Sequence, residues 1–99
     1  MISINNDNVF KKKSSVEAQK VGTDYILFLH DKNKIVNLNS TSSFVWELII
    51  SNTPFSKITE EYISFFSRDI NVNKIDLQDD VKSLIETLLE NEIIEITTT

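Results

Sequence analysis

The side chains of this sequence that could carry out catalysis or bind a metal are few and poorly placed. The single histidine, His30, stands beside Asp31, but no second or third ligand for a catalytic zinc ion accompanies it, and the chain has no cysteine. Two pairs of adjacent carboxylates fall in segments with helical periodicity: Asp79–Asp80 and Glu60–Glu61. Adjacent residues on a helix point about 100° apart, so neither pair can easily share one substrate. We therefore interpret His30 as a turn residue and both pairs as solvated surface, and we expect no enzymatic activity.

The charge balance disfavours polyanionic partners. The 99-residue chain has a formal net charge of −5, whereas binding to nucleic acid depends on clustered Lys and Arg side chains. The basic run Lys11 to Lys13 ends a polar, Asn-rich start, and we predict that residues 1–13 form a flexible arm. This start lacks the long apolar stretch of a secretion signal, and no segment approaches the roughly 18 consecutive apolar residues of a membrane span. We therefore expect a cytoplasmic protein that binds neither nucleic acid nor membrane.

Alternating apolar residues predict three consecutive strands in the first part of the chain. Val16 and Ala18 alternate with polar residues, and Gly22 then interrupts the pattern. The run from Tyr25 to Leu29 is rich in β-formers and apolar enough for a central strand. A polar turn signal separates it from a third short strand, Lys34 to Leu38. Such a meander is stable only when another layer packs on it.

After the third strand, the apolar residues recur at helical spacing. Asn39 is a good N-cap for a first helix, and Thr53–Pro54 is a start signal for a second. Asp76 is predicted to cap a third helix, and the last residues, EIIEITTT, to form a short strand. The third helix carries a wide apolar stripe: Leu77, Val81, Leu84, Ile85, Leu88 and Leu89. The order β-β-β-α-α-α predicts an α+β domain in which three helices pack on a small antiparallel sheet.

The third strand carries one apolar residue that the core does not need. If Val36 and Leu38 face the core, alternation turns Ile35 and Asn37 away from it. An outward Ile on an edge strand is either an ordinary exposed apolar residue or part of a binding groove. The alternation alone leaves both possibilities open.

The segment NKIVNLNSTSSFVWELI resembles part of a known family. Its strand ends in Leu38 and Asn39, and the following helix contains Trp46, which we interpret as a core residue. In this order and spacing, the sequence from Phe10 to Ile96 resembles the PqqD-like domains, also called RiPP recognition elements. The resemblance implies a winged-helix-like domain over residues 14–97, with no catalytic residue, metal or cofactor.

The resemblance also implies a function. Members of this family hold the leader part of a ribosomally made precursor peptide and present its core to a modifying enzyme, such as a radical SAM protein, a cyclase or a protease. The leader adds a strand to the third strand and lies against the third helix, which is recognition by β-augmentation. Carried onto this chain, the expected peptide-binding residues are Lys34, Ile35, Val36, Asn37, Leu38, Asp80, Val81, Leu84, Ile85 and Leu88.

A winged-helix DNA-binding or regulatory protein shares this plan and is the alternative. Such a protein inserts a helix into the major groove of DNA, and Arg or Lys side chains of that helix contact the DNA. From Asp76 to Glu92 the chain has six acidic residues and one basic residue, Lys82. We expect this helix to repel a phosphate backbone, which favours the peptide-binding interpretation.

Overall fold

The computed structural model describes residues 4–66 and 74–97. The elements are, in chain order, β1 (Phe10–Lys12), β2 (Val16–Val21), β3 (Asp24–Leu29), β4 (Lys34–Leu38), α1 (Ser40–Ile50), α2 (Phe55–Phe66), α3 (Lys74–Glu90) and β5 (Ile94–Ile96). A short 3-10 turn, His30–Lys32, joins β3 to β4. The predicted α+β class is confirmed: a three-stranded antiparallel sheet is followed by three helices and a short final strand.

The larger sheet is the predicted meander, with β3 between β2 and β4. Leu27 at its centre lies opposite Ala18 on β2 and opposite Val36 on β4. Both connecting turns use a left-handed backbone, with φ of 66° at Gly22 and 49° at Asn33. Gly and Asn adopt this conformation more readily than other residues, so the turn chemistry fixes the register of both hairpins.

The helix starts follow the predicted signals with one exception. The side chain of Asn39 accepts a hydrogen bond of 2.8 Å from the N–H of Ser42, as an N-cap does. Pro54 immediately precedes α2, and its carbonyl accepts the N–H of Ile58. The expectation that Asp76 caps the third helix is wrong, because α3 begins two residues earlier and Asp76 lies within its first turn. Its charge still complements the positive end of the helix dipole there.

The prediction that residues 1–13 form a flexible arm is wrong for Phe10–Lys12, which form strand β1. β1 pairs antiparallel with β5, so that Phe10 lies opposite Ile96, and the Phe10 side chain is fully buried. Upstream of β1, the carbonyl of Asn8 accepts the N–H of Phe55 at the start of α2. Phe10 is the only buried residue of this three-residue strand. A single apolar position cannot produce a detectable alternation.

The core lies between the inner face of the larger sheet and the three helices. Trp46 on α1 is fully buried, which confirms its interpretation as a core residue, and its ring centroid lies 6.5 Å from that of Tyr25. The stripe predicted for α3 contributes four buried residues: Leu77, Val81, Ile85 and Leu88. Residues of α3 and β4 line one common cavity, so the two elements face each other across it.

Candidate functional site

β4 is an edge of the larger sheet. The sheet order β2-β3-β4 leaves one side of β4 without a strand partner among the described residues. Ile35 is 60% exposed, whereas Leu38 is 7% exposed and Val36 packs against the core. The predicted alternation is thus confirmed, with Val36 and Leu38 turned inward and Ile35 turned outward.

A groove of about 230 Å³ runs between β4 and α3. Buried or half-buried apolar side chains form its floor, and exposed polar side chains form its rim. The groove is lined by Leu29, Lys32, Lys34, Val36, Leu38, Leu84, Thr87, Leu88, Asn91 and Ile93. An apolar channel beside a free strand edge is suited to an extended peptide, because the edge offers main-chain hydrogen bonds and the channel accepts side chains.

Half of the predicted binding residues line this groove: Lys34, Val36, Leu38, Leu84 and Leu88. Val81 and Ile85 do not line it, because both are fully buried beneath the surface of α3. Ile35 and Asn37 are exposed on the opposite face of β4.

Asp80 lies outside the lining of the groove. It is exposed one helical turn before Leu84, on the same side of α3. Burial raises the pKa of Tyr62 on α2, and the negative charge of Asp80 adds to that increase. Asp80 therefore lies close enough to α2 to act on Tyr62, and its place in the peptide site stays a prediction.

Five residues of the lining were not predicted from the sequence: Leu29, Lys32, Thr87, Asn91 and Ile93. The ammonium of Lys32 donates a hydrogen bond of 2.9 Å to the carbonyl of Asn91, just past the end of α3. Carbonyls at a helix C-terminus carry partial negative charge, so this contact stabilises that end and ties it to the β3–β4 turn. Helical spacing from Leu84 could have identified Thr87 and Asn91, since residues three and seven positions on share its face.

Ser43 on α1 holds the end of β4 beside β3. Its hydroxyl accepts the N–H of Tyr25 at 3.0 Å and donates to the carbonyl of Leu38 at 3.3 Å. Ser43 is 1% exposed, so both bonds are shielded from water. One helix residue therefore bridges the end of the β3–β4 ladder, a role that was not predicted from the sequence.

The charged groups elsewhere form ordinary surface contacts. The His30 ring lies 3.1 Å from the carboxylate of Glu17, with both side chains exposed, in the turn where His30 was predicted. On the other side of the domain, a 2.7 Å hydrogen bond from Lys20 lowers the pKa of Glu47.

Residues 4–66 and 74–97 hold no group of three or more His, Cys, Asp or Glu that could bind a metal ion. Within the same residues, no helix has the length and apolar character needed to cross a membrane.

The family model for coenzyme PQQ synthesis protein D (PqqD) matches residues 24–94, which run from β3 to the start of β5 and include both walls of the groove. The chain belongs to the PqqD family. The resemblance found in the sequence is thereby confirmed. A comparison with curated proteins gave no match.

Two solved structures share the fold of this PqqD-family chain. TbiB1 in complex with the TbiA(beta) leader peptide superposes with a TM-score of 0.76 at 15% identity, over 90% of this chain and 99% of TbiB1. Lasso peptide synthetase B1 complexed with the leader peptide gives a TM-score of 0.74 at 15% identity, over 87% of this chain and 96% of the synthetase chain. At this identity, the likeness establishes a common fold.

Proposed function

We propose that this protein binds the leader region of a ribosomally synthesised precursor peptide and presents the peptide to a modifying enzyme, without catalysing a reaction itself. The observation that carries the proposal is the juxtaposition of a free edge strand, β4, with the apolar groove against α3. Membership of the PqqD family and two structural relatives that are complexes with leader peptides support it.

In the proposed complex, the leader adds a strand to β4 and inserts apolar side chains into the groove. The contacting residues are Lys34, Ile35, Val36, Asn37, Leu38, Leu84 and Leu88, while Val81 and Ile85 support the groove from the core and Asp80 faces the approaching peptide. Main-chain pairing supplies affinity with little sequence choice, so the groove must supply selectivity.

The proposed partner enzyme is a radical SAM protein, a cyclase or a protease that acts on the core part of the same peptide. We place the complex in the cytoplasm, where ribosomal peptides are made. We also propose that the recognition domain predicted over residues 14–97 begins at Phe10, because β1 is paired with β5 and buries this side chain.

The DNA-binding alternative has no support in the fold or the family. The exposed residues of α3 include Asp76, Asp79, Asp80 and Glu90, all of which would repel phosphates.

The test is a map of amide chemical shifts on addition of the leader of a precursor peptide encoded beside this gene. We expect shifts along β4 and α3, and an affinity about tenfold lower for Ile35→Asp, since a charge beside the added strand opposes apolar contacts. Val21→Asp is the matched control, because Val21 is also exposed on the outer face but lies on β2, at the other edge of the sheet. Thermal unfolding verifies that both variants are folded.

Shifts confined to α2 or to the N-terminal residues, with unchanged affinity for a folded Ile35→Asp variant, would contradict the proposal.

Asp80→Lys adds a separate expectation. This substitution should change the salt dependence of peptide binding, because charges at the edge of an interface act mainly on the rate of encounter.

A further inference from the structure

We infer that both faces of the sheet contact the side chains of an added strand in one register. These contacts select four consecutive peptide residues: a polar residue, two apolar residues and an acidic residue. This inference rests on the proposed function, because it takes β4 as the docking edge. It adds the class of peptide sequence and the residues that distinguish it.

Hydrogen bonds of β3 reveal which of its residues face β4. The N–H of His30, directly after β3, donates to the carbonyl of Ser15 on the β2 side at 3.1 Å. Successive residues of a strand direct their main-chain groups to opposite sides, so Leu29, Leu27 and Tyr25 face β4. The hydrogen bonds of Ser43 support this assignment. Its hydroxyl accepts the N–H of Tyr25 and donates to the carbonyl of Leu38 on β4, so the N–H of Tyr25 is directed at β4.

The free main-chain groups of β4 follow from that assignment. The β4 residues opposite Leu29, Leu27 and Tyr25 are Lys34, Val36 and Leu38, so their N–H and C=O groups are directed at β3. The residues between them, Ile35 and Asn37, must direct theirs at the free edge. An added strand therefore exchanges hydrogen bonds with these two residues.

An antiparallel peptide can pair with Ile35 and Asn37 in successive registers, and contacts of its side chains then select one of them. Both existing ladders of this sheet are antiparallel, and parallel pairing is slightly less stable. The peptide residue between the two hydrogen-bonded pairs lies opposite Val36, and we call it the central residue. Opposite residues point to the same face, so the central residue enters the groove beside Val36 and Leu84. Its two neighbours point to the outer face.

The peptide residue after the central one lies over an apolar part of the outer face of the sheet. That residue pairs with Ile35, which is 60% exposed and lies opposite the half-buried Phe28 on β3. Phe28, His30 and Ile35 also border a depression of about 290 Å³ at this end of the strand. An apolar peptide residue there covers Ile35 and extends the row from Phe28. The residue before the central one pairs with the exposed Asn37, which favours a polar side chain.

Lys34 supplies the preference for an acidic residue. It lies opposite the second residue after the central one, and its exposed side chain lines the groove. The neighbouring Lys32 ammonium is already bonded to the carbonyl of Asn91. A peptide carboxylate opposite Lys34 meets an ammonium at the rim, and a basic residue there is repelled.

Four short synthetic peptides with identical Ser-Gly flanks test this pattern: Thr-Leu-Val-Glu, Thr-Ser-Val-Glu, Thr-Leu-Ser-Glu and Thr-Leu-Val-Lys. Amide-shift titrations give the affinity of each. Relative to the first, we expect the second to bind about tenfold more weakly, because it loses the side chain in the groove. We expect a loss of about threefold for the third and of about twofold for the fourth, the last at low salt only.

Protein variants assign each preference to its residue. Ile35→Ser should remove the difference between Thr-Leu-Val-Glu and Thr-Leu-Ser-Glu, whereas Val21→Ser on the far edge should keep it. Lys34→Glu should reverse the preference between the peptides ending in Glu and Lys.

The outcomes separate this inference from the proposed function. If Thr-Leu-Val-Glu causes no shifts along β4, or if all four peptides bind equally, the inference is overturned, while binding of the precursor leader along β4 would still uphold the proposed function. If the precursor leader itself shifts only residues away from β4 and α3, both are overturned.

Discussion

Replacing Phe10 by Ala tests whether the N-terminal segment belongs to the folded domain. Phe10 is fully buried on β1, which pairs with β5 and contacts α1, although the sequence places it in a polar, Asn-rich start. Phe→Ala substitutions in a core typically cost about 3–5 kcal/mol, because the transfer free energy is lost and a cavity remains. A domain of this size has a total stability of about 5–15 kcal/mol, so the variant should lose a large fraction of it. The corresponding fall in Tm is about 12 °C or more.

Urea and thermal unfolding followed by circular dichroism measure this loss. Lys11→Ala is the matched control, because Lys11 is the exposed neighbour of Phe10 on the same strand, and we expect it to change stability by less than about 0.5 kcal/mol. If Phe10→Ala does not fold, Phe10→Leu provides a milder version, with an expected loss of about 1 kcal/mol. A folded Phe10→Ala variant as stable as the Lys11→Ala control would refute the reasoning, because β1 would then contribute nothing to the core.

Three other predictions follow from the structure. Ser43→Ala should lower the free energy of unfolding by about 1–3 kcal/mol in urea titrations, because the N–H of Tyr25 and the carbonyl of Leu38 lose a buried partner; an unchanged midpoint would contradict the bridging role. Burial raises the pKa of both Tyr25 and Tyr62, so near-ultraviolet absorbance should show both titrating above the ordinary value of about 10. Since the folded pKa values lie above the unfolded ones, the contribution of these two tyrosines to stability should be fully present below about pH 10 and should be lost as pH rises through the folded values. Finally, duplex DNA should show no mobility shift with about 10 μM protein at physiological salt; a sequence-selective shift would favour the DNA-binding alternative.

The parts of the fold that the sequence predicts correctly are those with a local chemical cause. Asn39 forms its cap through its own side chain, and the left-handed turns lie at Gly22 and Asn33. β1 has no such cause, because its pairing with β5 depends on contacts between residues more than eighty positions apart. Neither three-residue strand contains enough pattern to predict the other.

The candidate site is only half predictable for a related reason. Leu84 and Ile85 belong to one apolar stripe on α3, yet Leu84 lines the groove and Ile85 is buried in the core. A wide stripe shows that a helix faces something apolar, but periodicity does not distinguish a packed neighbour from an open channel. The polar rim residues Lys32 and Asn91 depend on where the β3–β4 turn meets the end of α3, which is a tertiary contact.

The proposed docking of a peptide on β4 accounts for the exposure of Ile35. An unpaired edge strand can template aggregation, and proteins protect such edges with short strands and charged or polar residues. β4 is only five residues long, and it begins with the exposed Lys34 and carries the exposed Asn37, which fits this protection. Ile35 does not fit this protection. Thr or Lys at its outward position would also form a strand and would lower the risk of self-association. The hydrogen bonds of Ser43 hold the end of β4, and the bond from Lys32 to the carbonyl of Asn91 ties the β3–β4 turn to the end of α3. In the proposed complex, the entropy cost of association would then fall mainly on the peptide, and the apolar contact with Ile35 would favour one peptide sequence over another.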